Sequence, residues 1–166
     1  MFSFTLLVAY LAINALAVPL NDLTKRQGGG CKKVHFIFAR GSTEGGTMGG
    51  TVGPAFSRAL ATKFGAGNVA SEGVRYPADI AGAFSGGTNP GGAKGSINMA
   101  AMAKAVMNKC PTTRIVLSGY SQGAEQVHGA LASKNLGQDG ARIAVSFFLS
   151  LLTLLSCRIF VSLLSC

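Results

Sequence analysis

The sequence is poor in acid. Six Asp and Glu stand against 15 Lys and Arg, a formal net charge of +9 over 166 residues. It has two histidines, four cysteines and no Cys-x-x-Cys pair. Ligands so few and so scattered exclude a zinc site, and no metal is expected. No Asn-x-Ser/Thr sequon occurs, so N-glycosylation is not indicated. The basic excess carries no nucleic-acid signature. Adjacent basic pairs occur only at Lys25-Arg26 and Lys32-Lys33, and no basic stripe is interleaved with aromatics. Nucleic acid is therefore not an expected partner. Weak, salt-sensitive attraction to anionic polymers or membranes is compatible with the charge.

What is present is enough for one domain: 48% hydrophobic residues for a core and 23 glycines for loops and close backbone approaches. The apolar start, Phe2 to Ala17, lacks Lys and Arg but ends in Ala15-Leu16-Ala17. It reads as a signal peptide over residues 1–17. A propeptide over 18–26 would end at the dibasic Lys25-Arg26 and leave Gln27 as the mature start. The expected destination is extracellular, where disulfides form. Four cysteines do not reveal their own pairing.

From Lys32 onward, strand-like and helix-like segments alternate. Val34–Ala39 is short, aromatic and β-branched, as a buried strand is. Pro54 suits the first turn of a helix whose Phe56, Leu60 and Phe64 form one apolar stripe. "GVRYPAD" predicts a second strand ending at Pro77. "IAGAFSGGTNPGGAKG" reads as flexible, with Ser96 capping the helix that Pro111 stops. "RIVLS" predicts a strand, the segment after Ser121 a helix to about Lys134, and Ala141–Val145 the start of another strand. The order β-α-β-α-β-α-β predicts an α/β protein with a mainly parallel sheet.

Residues 146–166 depart from this pattern. Fifteen of these 21 residues are Ser, Phe or Leu, and Gly, Pro, Asn, Asp and Glu are missing. Three readings compete: a membrane helix over about 20 apolar residues from Ile143, the tail of a lipid-anchor signal, and translation through an unspliced intron. The last is favoured. Ser, Phe and Leu all have pyrimidine-only codons, and Val145-Ser146 can be encoded by a typical intron start. On this reading a membrane is a partner only if the tail is a real anchor.

Gly119-Tyr120-Ser121-Gln122-Gly123 lies between a predicted strand and a predicted helix. This is the context of a nucleophile elbow, a tight turn that lifts a serine hydroxyl above the strand end. There the N–H of Gln122 and the helix N-terminus would face a developing oxyanion.

With "GYSQGA" at 119–124 and "ARGSTE" at 39–44, the chain resembles the fungal cutinases, secreted serine esterases of the three-layer α/β-hydrolase fold. Cys31 ahead of the first strand and Cys110-Pro111 ahead of the serine's strand fit the same pattern. The resemblance covers about Cys31 to Val145, with acetylxylan esterases as the nearest competitor. It implies Ser121 as nucleophile, and Ser42 and Gln122 as oxyanion-hole donors. It further implies a Cys31–Cys110 disulfide, no cofactor, a monomer, and polyester or small ester substrates.

The partners of Ser121 are the difficulty. In this fold the order is Ser, acid, His. After Ser121 come Glu125, His128 and Asp139, with no histidine beyond Asp139. His128 lies about 10 Å down the helix axis, out of reach of a general base. His35 and Asp139 fall at the wrong strand ends. Cys157 and Cys166 enclose no acid, unlike the family's second cysteine pair. The triad Asp and His are therefore expected to be absent, the catalytic domain over 27–145 partial, the sheet incomplete at its C-terminal side and the chain nearly inactive. Two alternatives stand beside this: a non-catalytic surface protein held by its tail, and an acetylxylan esterase-like hydrolase.

Overall fold

The computed structural model describes residues 30–132 and 134–149. The proposed signal peptide, the proposed propeptide, Cys157 and Cys166 lie outside that range. All elements belong to one compact unit that begins at Lys32. In chain order they are β1 (Val34–Ala39), α1 (Val52–Phe64), β2 (Val69–Gly73), α2 (Ile80–Thr88), α3 (Lys94–Lys109), β3 (Arg114–Tyr120), α4 (Gln122–Leu131) and β4 (Ile143–Leu149). Short 3-10 turns sit at Ala66–Asn68, Pro90–Gly92 and Gly137–Arg142.

The four strands form one parallel sheet in the order β2-β1-β3-β4. The expected α/β class with a parallel sheet is what the chain adopts. Strand alternation divides β1 between two layers. Val34, Phe36 and Phe38 share a core cluster with Leu60 of α1 and Val116 of β3, and Phe56 and Phe64 pack against it. Phe56 meets Phe36 edge-on, with centroids 4.9 Å apart and planes at 74°. The apolar stripe of α1 is thus the face that covers the sheet; full burial of such a side chain contributes about 1.5–3 kcal/mol, and the partly buried Phe56 and Phe64 contribute less. On the other side α3 and α4 supply Met99, Ala103 and Val127, all buried. Cys31 and Cys110, just before β1 and β3, are disulfide-bonded to each other.

Three local expectations are corrected. The second strand is Val69–Gly73, not "GVRYPAD". Its register, from Val34↔Val69 to Phe38↔Gly73, is fixed by backbone pairing with β1 and not by its own apolar content. "IAGAFSGGT" is helix α2 and not a flexible loop. Its glycines let it approach α4: a Cβ at Gly82 would lie 2.9 Å from Gln122 Nε2, and one at Gly86 2.9 Å from Glu125 Oε2. Ser96 is not the cap of α3, which starts two residues earlier at Lys94. Two elements also differ in extent. Helix α4 ends at Leu131 and not near Lys134. Strand β4 runs through Val145 to Leu149, so Ile143–Leu149 is strand and not the start of a spanning helix. Among the described residues no helix is long and apolar enough to cross a membrane.

Candidate active site

The chain leaves β1 towards β2 on one side and leaves β3 towards β4 on the other. The carboxyl ends of β1 and β3 therefore form a topological switch point, where α/β sheets bind ligands. The register Ala39↔Gly119 brings the segments carrying Ser42 and Ser121 side by side there.

Ser121 follows β3 with φ 53° and ψ −122°, a conformation that a residue with a Cβ adopts only under strain. Two glycines make the turn feasible. A Cβ at Gly119 would overlap the carbonyl of Gly123, and one at Gly123 would overlap the carbonyl of Ala39. Ser121 is then the N-cap of α4, and Gln122 is its first residue. The N–H of Gln122 is one of the helix's first donors, which have no intrahelical acceptor.

Ser42 faces this turn from the β1 side. Its Oγ donates to Gln122 Oε1 at 2.9 Å, joining residues 80 apart in sequence. Gln122 is 2% exposed. The loop bearing Ser42 is held by Glu44, a residue the sequence offered only as part of "ARGSTE". Glu44 Oε2 accepts the Gly41 N–H at 2.7 Å, and Oε1 accepts the Gly50 N–H at 3.1 Å and the Thr51 hydroxyl at 3.0 Å. Burial pushes the Glu44 carboxyl up, but these hydrogen bonds outweigh it and hold it below the ordinary carboxylate range. Arg40 adds a bond from Nε to the Glu44 carbonyl at 2.8 Å and one from Nη2 to the Tyr76 carbonyl at 3.0 Å. Its guanidinium lies 5.2 Å from the Tyr76 ring centroid, and the Tyr76 hydroxyl donates to the Arg40 carbonyl. Burial drives the Tyr76 phenol far above its usual range. The Thr43 N–H donates to the Ala78 carbonyl at 2.7 Å, tying the loop to the approach of α2.

Behind the turn, Gln126 is 1% exposed. Its Nε2 donates to the Gln122 carbonyl at 3.4 Å, and its Oε1 accepts the Ser96 N–H at 3.0 Å and the Ser96 hydroxyl at 3.3 Å. Sequence reasoning missed this pair, because the two residues lie on different helices.

Neither histidine joins the site. His35 Nε2 is 2.6 Å from Glu72 Oε1 on the neighbouring strand. His128 lies in the last turn of α4, on its exposed side. Neighbouring protein still desolvates the imidazole in part, which keeps His128 below its usual range. Asp139 is in the 3-10 turn before β4, at the opposite end of the sheet. Glu125 has one carboxylate oxygen buried without a hydrogen-bond partner, and burial pushes the pKa of its carboxyl above the ordinary carboxylate range. Ser121 Oγ makes no hydrogen bond among the described residues, and no group of His, Cys, Asp and Glu there could hold a metal.

A model of the cutinase family matches residues 30–150. The chain belongs to the cutinase family. It is 43% identical over 120 residues to a cutinase of Botryotinia fuckeliana, which covers 72% of this chain and 56% of that protein. It is 39% identical over 140 residues to the cutinase CUT2 of Pyricularia oryzae, 78% of this chain and 64% of that protein. This cutinase-family chain thus spans between half and two thirds of the length of these curated relatives. Among solved structures, the Trichoderma reesei cutinase in complex with a phosphonate inhibitor aligns with a TM-score of 0.61 at 31% identity, covering 83% of this chain and 70% of that one. An acetyl xylan esterase aligns with a TM-score of 0.53 at 22% identity, covering 72% of this chain and 63% of that one, a likeness of fold.

Proposed function

We propose that the chain carries the nucleophile and oxyanion hole of a secreted, cutinase-like serine esterase. The observation that carries this reading is the strained Ser121 between Gly119 and Gly123, with Ser42 bonded to Gln122 across the turn. Ser121 Oγ would attack an ester carbonyl while a base takes its proton. The oxyanion that forms would accept the N–H groups of Ser42 and Gln122, both preset before substrate arrives. Collapse of the tetrahedral intermediate would expel the alcohol, and water would then release the acyl group from Ser121. No cofactor enters these steps.

Substrate class follows from the flank of the site. Ile80 and Phe84, one turn apart on α2, are 64% and 77% exposed. They present an exposed apolar pair on the helix whose Gly82 approaches Gln122, a surface suited to acyl chains and water-insoluble polyesters of the cutin type. The base is the missing member. Neither His35 nor His128 can reach Ser121, so these 166 residues alone should turn esters over at close to background rate.

A base supplied from solution tests both halves. With p-nitrophenyl butyrate alone, intact mass should show little acylated protein. Added imidazole should produce a butyryl adduct on Ser121 that the Ser121→Ala variant does not form. An equal adduct in that variant would refute the nucleophile assignment. Rapid turnover without imidazole would refute the missing base.

A further inference from the structure

The end of the sheet opposite the candidate site gathers positive charge. Lys32 and Lys33 enter β1, Arg114 opens β3 and Arg142 enters β4. The registers Val34↔Arg114 and Ile115↔Ile143 put these entry points level on three adjacent strands. Neighbouring strands are about 4.8 Å apart, so the four cations share a patch roughly 10–15 Å wide. The Arg114 N–H donates to the Lys33 carbonyl at 3.0 Å, and the Thr113 hydroxyl to the Lys32 carbonyl at 2.7 Å, which fixes the two strand entries to each other. All four side chains are exposed, and none forms an ion pair among the described residues. Lys109 adds a fifth charge at the C-terminus of α3, where the helix dipole accounts for it. The dipole accounts for none of the other four. Among the described residues the acids near this end are Asp139 and Glu72, which His35 of β1 engages at 2.6 Å, whereas Glu44, Asp79 and Glu125 lie towards the site.

We propose that this strand-entry face docks a linear anionic polysaccharide, one with a negative group on its sugar units. Clustered like charges repel, and a polyanion relieves that cost while gaining several weak contacts at once. The composition of the face decides among polyanions. Among the described residues the exposed large hydrophobics are Ile80, Phe84 and Ile97, all away from it, so charge and not apolar insertion is what this face offers a partner. Among the described residues it presents no exposed Phe or Tyr on which bases could stack. Exposed Asn108 supplies a neutral polar group suited to sugar hydroxyls. A six-residue strand separates the face from the site by about 20 Å, so a docked molecule keeps the Ser121 side open. The inference does not depend on the esterase reading.

The test is binding of the full chain to polygalacturonate and to heparin, which separate carboxylate from sulfate as the recognised group, with neutral dextran as control. Binding to at least one polyanion should be lost between low and physiological salt. Replacing Lys32, Lys33 and Arg114 together by Ser should weaken it at least tenfold. Replacing the same number of exposed cations elsewhere, Arg58, Arg75 and Lys94, should weaken it less than threefold. The Lys32→Arg, Lys33→Arg variant keeps the charge and should bind as the parent does. Equal losses from both triple variants would overturn the proposal. So would retention on dextran, or tighter binding to anionic vesicles or duplex DNA than to either polysaccharide.

Discussion

Gln126→Leu is expected to cost far more than its small change in volume suggests. Gln126 caps a helix to which it does not belong. Ser96 is the third residue of α3, so its N–H is one of the four that the helix cannot satisfy itself. Gln126 Oε1, from α4, accepts it at 3.0 Å, and Ser96 is fully buried. Leucine removes that acceptor with no water to replace it. Leaving one buried donor unmade costs about 1–3 kcal/mol, and the bond to the Gln122 carbonyl goes as well. Added apolar contact offsets part of this, so about 2–3 kcal/mol is expected. For a domain of this size that lowers Tm by about 6–12 °C. Ser96→Ala keeps the N–H and loses only the 3.3 Å hydroxyl contact, so it should cost less than about 1 kcal/mol. Thermal melts of both single variants and the double variant isolate the cap. If Gln126→Leu costs no more than Ser96→Ala, and the Ser96 amide exchanges hydrogen as slowly as in the parent, the capping argument is wrong.

Two further outcomes follow from the turn and its loop. Gly123→Ala should destabilise by about 1–3 kcal/mol and abolish imidazole-dependent acylation of Ser121, because its Cβ would overlap the Ala39 carbonyl; a normal melt with normal acylation would contradict this. The Glu44 carboxyl has a depressed folded-state pKa, so its contribution is complete above the ordinary carboxylate range and is lost as pH falls through the folded value. Hydrogen exchange at Gly41 and Gly50, corrected for intrinsic rates, should therefore accelerate in acid, and Glu44→Gln should remove that pH dependence.

The parts legible in the sequence are those whose signal is local. Val34–Ala39 shows its buried strand directly, and Phe56, Leu60 and Phe64 show the stripe that meets it. Gly119 and Gly123 reveal the turn because tight packing there admits nothing larger. What stayed hidden depends on distant partners. Strand β2, with the sequence VASEG, has little apolar pattern and is selected by its pairing with β1. The glycines of α2 suggested mobility, yet Gly82 and Gly86 serve close helix packing. Ser96 has the chemistry of a cap but is itself capped from α4. Glu44 stood in plain view inside a motif, and only the fold shows that it grips Gly41, Gly50 and Thr51 together.

The hydrogen bond between Ser42 and Gln122 spans 80 residues. It can form only after β1 and β3 have paired, itself a contact between residues 80 apart such as Val34 and Arg114. Non-local pairings of this kind come at a high loop-closure cost and are slow to form. A half-folded chain therefore has Ser121 but not the Ser42 segment set beside it. The candidate site would thus take shape together with the long-range pairing of β1 and β3, and not before it.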